Sequence, residues 1–240
     1  MRIYLIRHAQ STNNASGDPA DRASDPALTT LGHRQAERLA GHLASSAPRL
    51  PHIFDDREGE GYRITHLYTS PMWRALQTAH PLGQALGLAP EVWIDVHEHG
   101  GIYLDHGGER GKVGYPGKTR SEIKDTFPEF VLPESITEDG WWNKGFEDWT
   151  GCAARALRVG RSLRQRAAEP ENEERVAIVT HGGFINNLLK GLLGHLPGKG
   201  IWYDHYNTGI TCLDLESEGW TETRVSYLNR VDHLPHGDIS

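Results

Sequence analysis

The feature that most constrains the fold is a junction near the start of the chain, where an apolar run stops at two basic residues. The run Ile3–Ile6 contains aromatic and β-branched residues and leads directly into Arg7 and His8. A short apolar run of this composition predicts a buried β-strand. Open α/β sheets bind their ligands beyond the carboxyl ends of their strands. This junction therefore predicts an α/β protein with a candidate site that begins at Arg7 and His8.

A second junction of the same kind follows the strand predicted at 64–68. Ser70 is predicted to cap a helix there, with Pro71 at the first helical position. Arg74 then lies in the first turn of that helix, and Gly87 ends it. A helix N-terminus already attracts anions, so an arginine beside it indicates that an anion binds there.

The third junction has the clearest strand pattern in the chain. The run Val176–Val179 leads through Thr180 into His181 and two glycines, and a helix pattern continues to about residue 193. Glycine at the start of a helix lets a ligand approach the backbone and leaves N–H groups free to bind it. We therefore expect His181 and the backbone of Gly182 at the same edge of the sheet as His8.

The remaining patterns predict further helices and strands. Apolar residues at helical spacing predict helices at 31–44, 120–126 and 149–168. Short strands are predicted at 92–96, 208–215 and 223–228. Residues 45–63 are predicted to form an exposed loop. The glycine-rich stretch 97–146 predicts an insertion folded over one edge of the sheet, as a lid or a specificity element, with Trp141 and Trp142 packed inside it.

Composition excludes several classes of function. The formal net charge of −7 argues against a general binder of nucleic acid or anionic membranes. The sequence has no apolar run long enough to span a membrane and no pattern of a signal peptide. Cys152 and Cys212 are far apart, which argues against a disulfide framework and predicts a reduced, cytoplasmic protein.

The 14 histidines raise the question of a metal site. A local cluster consists of His97, His99 and His106 together with Glu98. Their spacing matches neither the HExxH motif nor a zinc finger. We therefore expect neither a metal nor another cofactor.

The three junctions together bring two arginines and two histidines to one edge of the predicted sheet. Phosphoryl transfer calls for such a set, because its transition state spreads negative charge over three oxygens. The planar guanidinium group of arginine donates two hydrogen bonds to phosphate oxygens at once. One neutral imidazole can attack phosphorus, while the other can donate to an oxygen.

The sequence resembles the histidine phosphatase superfamily, the phosphoglycerate mutase-like proteins. The resemblance extends over nearly the whole chain, and Ala9 stands where the family usually has glycine. It is carried by Leu5–Ser11 with Asn14; Leu28 and Thr29 with Gly32, Gln35 and Ala36; Thr69–Pro71 with Arg74, Ala75 and Gln77–Ala79; Val179–Gly183; Asn207 with Thr208; and Asp232–Leu234. The implied fold is a three-layer α/β/α sandwich with a mostly parallel central sheet flanked by helices. We expect one domain over residues 1–240, with an insertion at about 97–146 that covers the active site.

The resemblance also implies a role for each candidate residue. His8 is the expected nucleophile, and Arg7, Arg74 and His181 complete the expected phosphate pocket. Asn14 is expected as a further phosphate contact, beside the backbone of Gly182. The family's general acid is a carboxylate that follows the third strand, where this chain has Glu98. Asp95 and Glu109 are the alternatives for that role.

Three functions are compatible with this pattern. The first is a phosphatase that hydrolyses small phosphate monoesters through a phosphohistidine. The second is a phosphoglycerate mutase, but residues 102–106 do not resemble the basic, tyrosine-bearing stretch of such mutases. The third is a protein that binds a phosphorylated ligand without catalysis. We expect a small phosphorylated metabolite as the substrate, while the oligomeric state cannot be predicted from the sequence.

Overall fold

A computed structural model describes residues 1–45, 61–170, 172–216 and 222–240 of the chain. Most of the exposed loop predicted at 45–63 lies outside these residues. The strands are β1 (Arg2–Arg7), β2 (His66–Thr69), β3 (Glu91–Val92), β4 (Tyr103–Asp105), β5 (Lys112–Gly114), β6 (Arg175–Thr180), β7 (Ile210–Leu215) and β8 (Thr223–Arg230). The α-helices are α1 (Thr12–Ala15), α2 (Thr30–Ala44), α3 (Trp73–Leu86), α4 (Arg120–Thr126), α5 (Trp149–Ala167) and α6 (Gly182–Leu192).

The central sheet contains six of these strands in the order β3-β2-β6-β1-β7-β8. The first four in that order run parallel to one another. Strand β7 is antiparallel to β1, and β8 is antiparallel to β7. The predicted mostly parallel sheet is therefore confirmed.

Helices cover both faces of the sheet, because successive residues of a strand point to opposite sides. Tyr4 and Ile6 of β1 pack in one buried cluster with residues of α2 and α3, such as Leu39 and Leu76. Ile3 and Leu5 of the same strand pack in a second cluster with residues of α5 and α6. The two clusters form the interfaces of a three-layer α/β/α sandwich, as the resemblance implies.

Two local predictions are wrong. Helix α3 begins at Trp73 and its N-cap is Met72, so Ser70 does not cap it, although Gly87 ends the helix in a left-handed conformation (φ +67°) as predicted. The hydroxyl group of Ser70 contacts a histidine of the site instead. The strand predicted at 92–96 is shorter than expected, since β3 consists of Glu91 and Val92 and pairs with β2 at two positions only. A 3-10 helix occupies residues 94–96 instead.

The predicted insertion lies along the β3 edge of the sheet. The N–H of Val92 donates to the carbonyl of Val131, and the N–H of Val131 donates to the carbonyl of Pro90, both at 2.9 Å. Helix α4 occupies its predicted position, whereas the antiparallel hairpin of β4 and β5 was not predicted. Trp141 and Trp142 are buried in the same cluster as Tyr4, which confirms that they pack within the fold.

Two further features bear on the expected environment of the protein. Within the described ranges, no helix is both long and apolar enough to cross a bilayer. Cys152 and Cys212 are buried and are not joined in a disulfide.

Candidate active site

The three predicted junctions meet at one edge of the sheet. Strands β2, β6 and β1 are parallel neighbours, with Thr69 opposite Val179 and Arg7 opposite Thr180. The residues that follow these strands are Ser70, His181 and His8, so their order along the edge is set by the register. The predicted convergence of the strand ends is therefore confirmed, with His181 between Ser70 and His8.

The hydrogen bonds of His8 define the tautomer of its imidazole. Nδ1 lies 2.7 Å from the carbonyl oxygen of Ala9, which can only accept, so Nδ1 carries the proton. Nε2 accepts a hydrogen bond from Nε of Arg74 at 3.1 Å and therefore presents a lone pair. Burial lowers the pKa of His8 well below its ordinary value, and Arg74 and Arg7 lower it further. The side chain is a buried, neutral imidazole whose unprotonated nitrogen faces a guanidinium group.

Arg74 lies in the first turn of α3, as predicted, and is buried. Its Nη1 lies 3.9 Å from Oδ1 of Asp25, which also accepts from the N–H of Trp73 at 3.0 Å. Burial raises the pKa of Asp25 to about 6 against the opposing effect of Arg74. Asp25 is a site residue that the sequence analysis missed, because nothing near it in the chain connects it with Arg74.

Arg7 lies against the start of α6. A side-chain carbon added at Gly182 would lie 3.6 Å from Nε of Arg7. Nη1 of Arg7 donates to the carbonyl oxygen of His205 at 2.5 Å, which holds the guanidinium group in place. Arg7, Arg74 and the N-terminus of a helix thus place positive charge around His8.

The ring of His181 lies next to that of His8, with their centroids 5.0 Å apart. Its Nε2 lies 2.7 Å from Oγ of Ser70. Its Nδ1 is buried and has no hydrogen-bond partner in the described part of the chain. Burial lowers the pKa of His181 well below its ordinary value, and Arg74 and His8 lower it further. A second neutral imidazole thus has one nitrogen available for a ligand.

Glu98 lies at the N-terminus of α6, within the same site. Its Oε1 accepts from the N–H groups of Phe184 and His99, both at 2.8 Å, and its Oε2 accepts from that of Gly183 at 3.0 Å. The start of α6 therefore holds the carboxylate of Glu98 close to His181, since Gly183 and Phe184 follow His181 by two and three residues.

The two alternative carboxylates are placed differently. Glu109 is exposed in the turn between β4 and β5. Asp95 lies in the 3-10 helix, where its carbonyl oxygen accepts from Nη1 of Arg155 at 2.7 Å. Of the three carboxylates, Glu98 is the one that binds the backbone beside His181.

Asn14 lies at the periphery of the group. Its side chain is exposed, and its Oδ1 accepts from Nδ2 of Asn207 at 3.3 Å. The same Nδ2 donates to the carbonyl oxygen of His8 at 2.9 Å. Asn207 therefore connects Asn14 with the backbone of His8, a contact that the sequence analysis did not predict.

The histidines near Glu98 do not converge. His97 is buried, with its Nδ1 2.8 Å from the carbonyl oxygen of Glu98. The ring of His99 stacks on Trp149, and Nε2 of His106 lies 2.9 Å from the hydroxyl oxygen of Tyr115. Among the described residues, no three or more His, Cys, Asp or Glu side chains are arranged to hold a metal ion.

The sequence is similar to one protein family and to several curated proteins. It matches the family model of the histidine phosphatase superfamily (branch 1) at residues 3–53 and 56–227. A putative phosphoserine phosphatase 2 of Hydrogenobacter thermophilus is 27% identical over 97% of each chain. A probable phosphoglycerate mutase of Yersinia enterocolitica is 25% identical, over 92% of this chain and 87% of its own length. A PE-PGRS family protein of Mycobacterium tuberculosis is 36% identical over 43% of this chain, but this chain spans only 15% of that protein.

A solved structure supports the same fold. The phosphoserine phosphatase of Entamoeba histolytica, in complex with 3-phosphoglyceric acid, superposes with a TM-score of 0.59. The alignment covers 98% of this chain and 99% of the other, at 19% identity.

Proposed function

Since this chain belongs to the histidine phosphatase superfamily (branch 1), we propose that it hydrolyses small phosphate monoesters through a phosphohistidine on His8. The observation that carries the proposal is the contact between Nε of Arg74 and Nε2 of His8. It directs the lone pair of the nucleophile toward a cation that can bind the phosphoryl group.

In the first step, Nε2 of His8 attacks phosphorus and the bond from phosphorus to the ester oxygen breaks. Arg7 and Arg74 bind the phosphoryl oxygens and stabilise the charge that spreads over them. His181 serves as a donor through Nδ1. This role is supported by the hydroxyl group of Ser70, which can donate its proton to Nε2 of His181 and so leave the proton of the ring on Nδ1.

Glu98 is proposed as the general acid and base. In its protonated form it gives a proton to the departing ester oxygen, so that an alcohol leaves. In the second step it takes a proton from the water molecule that attacks phosphorus. The bond between phosphorus and Nε2 then breaks, which releases inorganic phosphate and restores His8. Its position beside His181 supports this role over Asp95 and Glu109.

Further parts of the proposal concern the surroundings of the site. We propose that residues 1–240 form one domain in which residues 97–146 cover the site. Asn14 and the backbone of Gly182 are proposed as additional phosphate contacts. A small phosphorylated metabolite is the proposed substrate, and phosphoserine is the first candidate because the relative from Hydrogenobacter thermophilus is named for it. A cytoplasmic location is supported by two buried cysteines that are not joined in a disulfide.

The test is phosphate release from a panel of small monoesters, combined with trapping of the phosphorylated enzyme. We expect release from at least one ester and a label on the protein that is stable to base and labile to acid. His8→Ala should abolish both, whereas His33→Ala, which changes an exposed histidine of α2, should change neither. Absence of both label and release from the wild type would contradict the proposal and favour a binding protein.

The name of the Yersinia enterocolitica relative keeps phosphoglycerate mutase activity as the second candidate. A mutase uses the same phosphohistidine but returns the phosphoryl group to its substrate. The panel is therefore run beside an assay of mutase activity on 3-phosphoglycerate. Mutase turnover without phosphate release from any ester would replace the phosphatase proposal with this one.

A further inference from the structure

The rings of His99 and Trp149 lie beside Glu98, and Trp202 packs against Trp149. These three residues, His99, Trp149 and Trp202, are called the aromatic rim. Gly183 shows where the rim meets the site. A side-chain carbon added at this glycine would lie 3.2 Å from Cη2 of Trp149 and 2.7 Å from Oε1 of Glu98. The indole ring and the carboxylate thus both lie next to Gly183, so Trp149 lies on the same side of the site as the proposed general acid.

The two tryptophans of the rim are about half exposed. Trp149 is 47% exposed and Trp202 is 52% exposed, whereas Trp141 and Trp142 are buried. The rings of Trp149 and Trp202 meet edge to face, with their centroids 5.8 Å apart and their planes at 81°. Adjacent exposed aromatic rings next to a polar site are typical of a binding surface.

The rim is held in place before any ligand binds. The ring of His99 stacks on Trp149 at 3.7 Å with an angle of 8° between the planes. Phe146 packs edge-on against His99, with centroids 5.2 Å apart. Because the indole ring of Trp149 is already fixed, a ligand that stacks against the rim loses little free energy to the ordering of side chains.

The charged groups around the rim have partners of their own, although Nζ of Lys190 also lies 5.9 Å from the ring centroid of Trp202. Arg155 donates to both carboxylate oxygens of Glu147, and Nζ of Lys190 donates to the carbonyl of Gly198 at 2.6 Å. Burial lowers the pKa of His99, so its imidazole is neutral near pH 7. Lys112 lies over the ring of Phe146, one ring beyond His99. The rim therefore favours a flat apolar group over a carboxylate.

We propose that the leaving group of the preferred substrate carries an aromatic ring that binds against Trp149 and Trp202, one bond or two from the ester oxygen that Glu98 protonates. This inference rests on the phosphatase activity proposed above and specifies its substrate class. It predicts a different preference from that suggested by the relatives named for phosphoserine, whose leaving group carries a carboxylate and no ring.

The test compares benzyl phosphate with glycerol 1-phosphate and phosphoserine. All three release an alkyl alcohol, so differences in intrinsic reactivity stay small. We expect the wild type to have a kcat/KM on benzyl phosphate about tenfold above that on phosphoserine, which is the size of one aromatic contact. In Trp149→Ala, kcat/KM on benzyl phosphate should fall about tenfold more than that on glycerol 1-phosphate, mainly through KM. Trp149→Phe should restore most of the difference.

The matched control is Leu157→Ala, which removes another exposed apolar side chain of α5. It should leave the ratio of the two rates unchanged. Equal losses on both esters in Trp149→Ala would overturn the inference and leave the phosphatase activity standing, as would a wild type that prefers phosphoserine. If the wild type released phosphate from none of the esters and formed no phosphorylated enzyme, the proposed function would fail and the aromatic subsite with it.

Discussion

Replacing Ser70 with alanine is expected to slow catalysis while leaving substrate binding nearly intact. The hydroxyl group of Ser70 lies 2.7 Å from Nε2 of His181, and both side chains are buried. Without it, both ring nitrogens of His181 lose their defined roles, because no group fixes which of them is protonated. Leaving a buried polar atom without a partner costs about 1–3 kcal/mol. We expect about 1–2 kcal/mol of this cost to destabilise the tautomer of His181 that carries its proton on Nδ1 and binds the transition state. A loss of this size lowers kcat about 5- to 30-fold.

The assay measures kcat and KM for Ser70→Ala on benzyl phosphate, together with unfolding in urea. Thr69→Val is the matched control. It removes the neighbouring buried hydroxyl group, which donates to the carbonyl of Ser70 at 3.3 Å. Both variants are expected to lose stability, but only Ser70→Ala should lose kcat at unchanged KM, and Ser70→Thr should recover part of it. A kcat within about twofold of the wild type in Ser70→Ala would show that the contact orders the fold and not the reaction.

Three further substitutions test other parts of the site. Glu98→Gln should lower kcat/KM on benzyl phosphate about 100-fold or more but lower kcat/KM on 4-nitrophenyl phosphate much less. This ratio reports the formation of the phosphohistidine, in which the 4-nitrophenolate leaving group needs no proton, and equal losses would contradict the acid role. Gly183→Ala should lower kcat about tenfold, because the new methyl carbon would lie 2.7 Å from Oε1 of Glu98 and would push the carboxylate out of place. An unchanged kcat would contradict that reasoning. Burial raises the pKa of Asp25 from 3.8 to about 6, so the folded protein favours the protonated carboxyl group. The contribution of this group to the free energy of unfolding is therefore complete below about pH 3.8 and is lost as the pH rises through 6. Asp25→Asn, which stays neutral, should therefore gain up to about 3 kcal/mol in free energy of unfolding relative to the wild type between pH 4 and pH 8, measured by urea unfolding; a gap that does not widen with pH would refute the effect.

The sequence by itself determined the central sheet and the residues at its edge. Local patterns predicted the strands, because a short apolar run predicts its own strand, and the family resemblance implied that they form a mostly parallel sheet. The carboxyl ends of neighbouring parallel strands meet at one edge wherever those strands lie in the chain. The positions of Arg7, His8 and His181 therefore followed from the residues that end or directly follow two strands. Arg74 followed in the same way from the start of a helix.

Only the tertiary structure decided which groups surround these residues. Ser70 contacts His181, Asp25 approaches Arg74, and Asn207 binds the carbonyl of His8, and each of these contacts joins distant parts of the chain. No local periodicity encodes a contact of this kind.

The glycine-rich stretch 97–146 shows the same limit more clearly. The sequence placed Glu98 in the acid role but left Asp95 and Glu109 as alternatives, because glycine-rich segments have no period from which side-chain direction can be read. The structure separates them, since the free N–H groups at the start of α6 bind Glu98 while Glu109 is exposed in a hairpin turn. The same packing places Trp149 beside that carboxylate and leaves it exposed. The sequence thus determined which edge of the sheet carries the proposed phosphoryl site, and the tertiary structure decided which acid and which rings lie next to it.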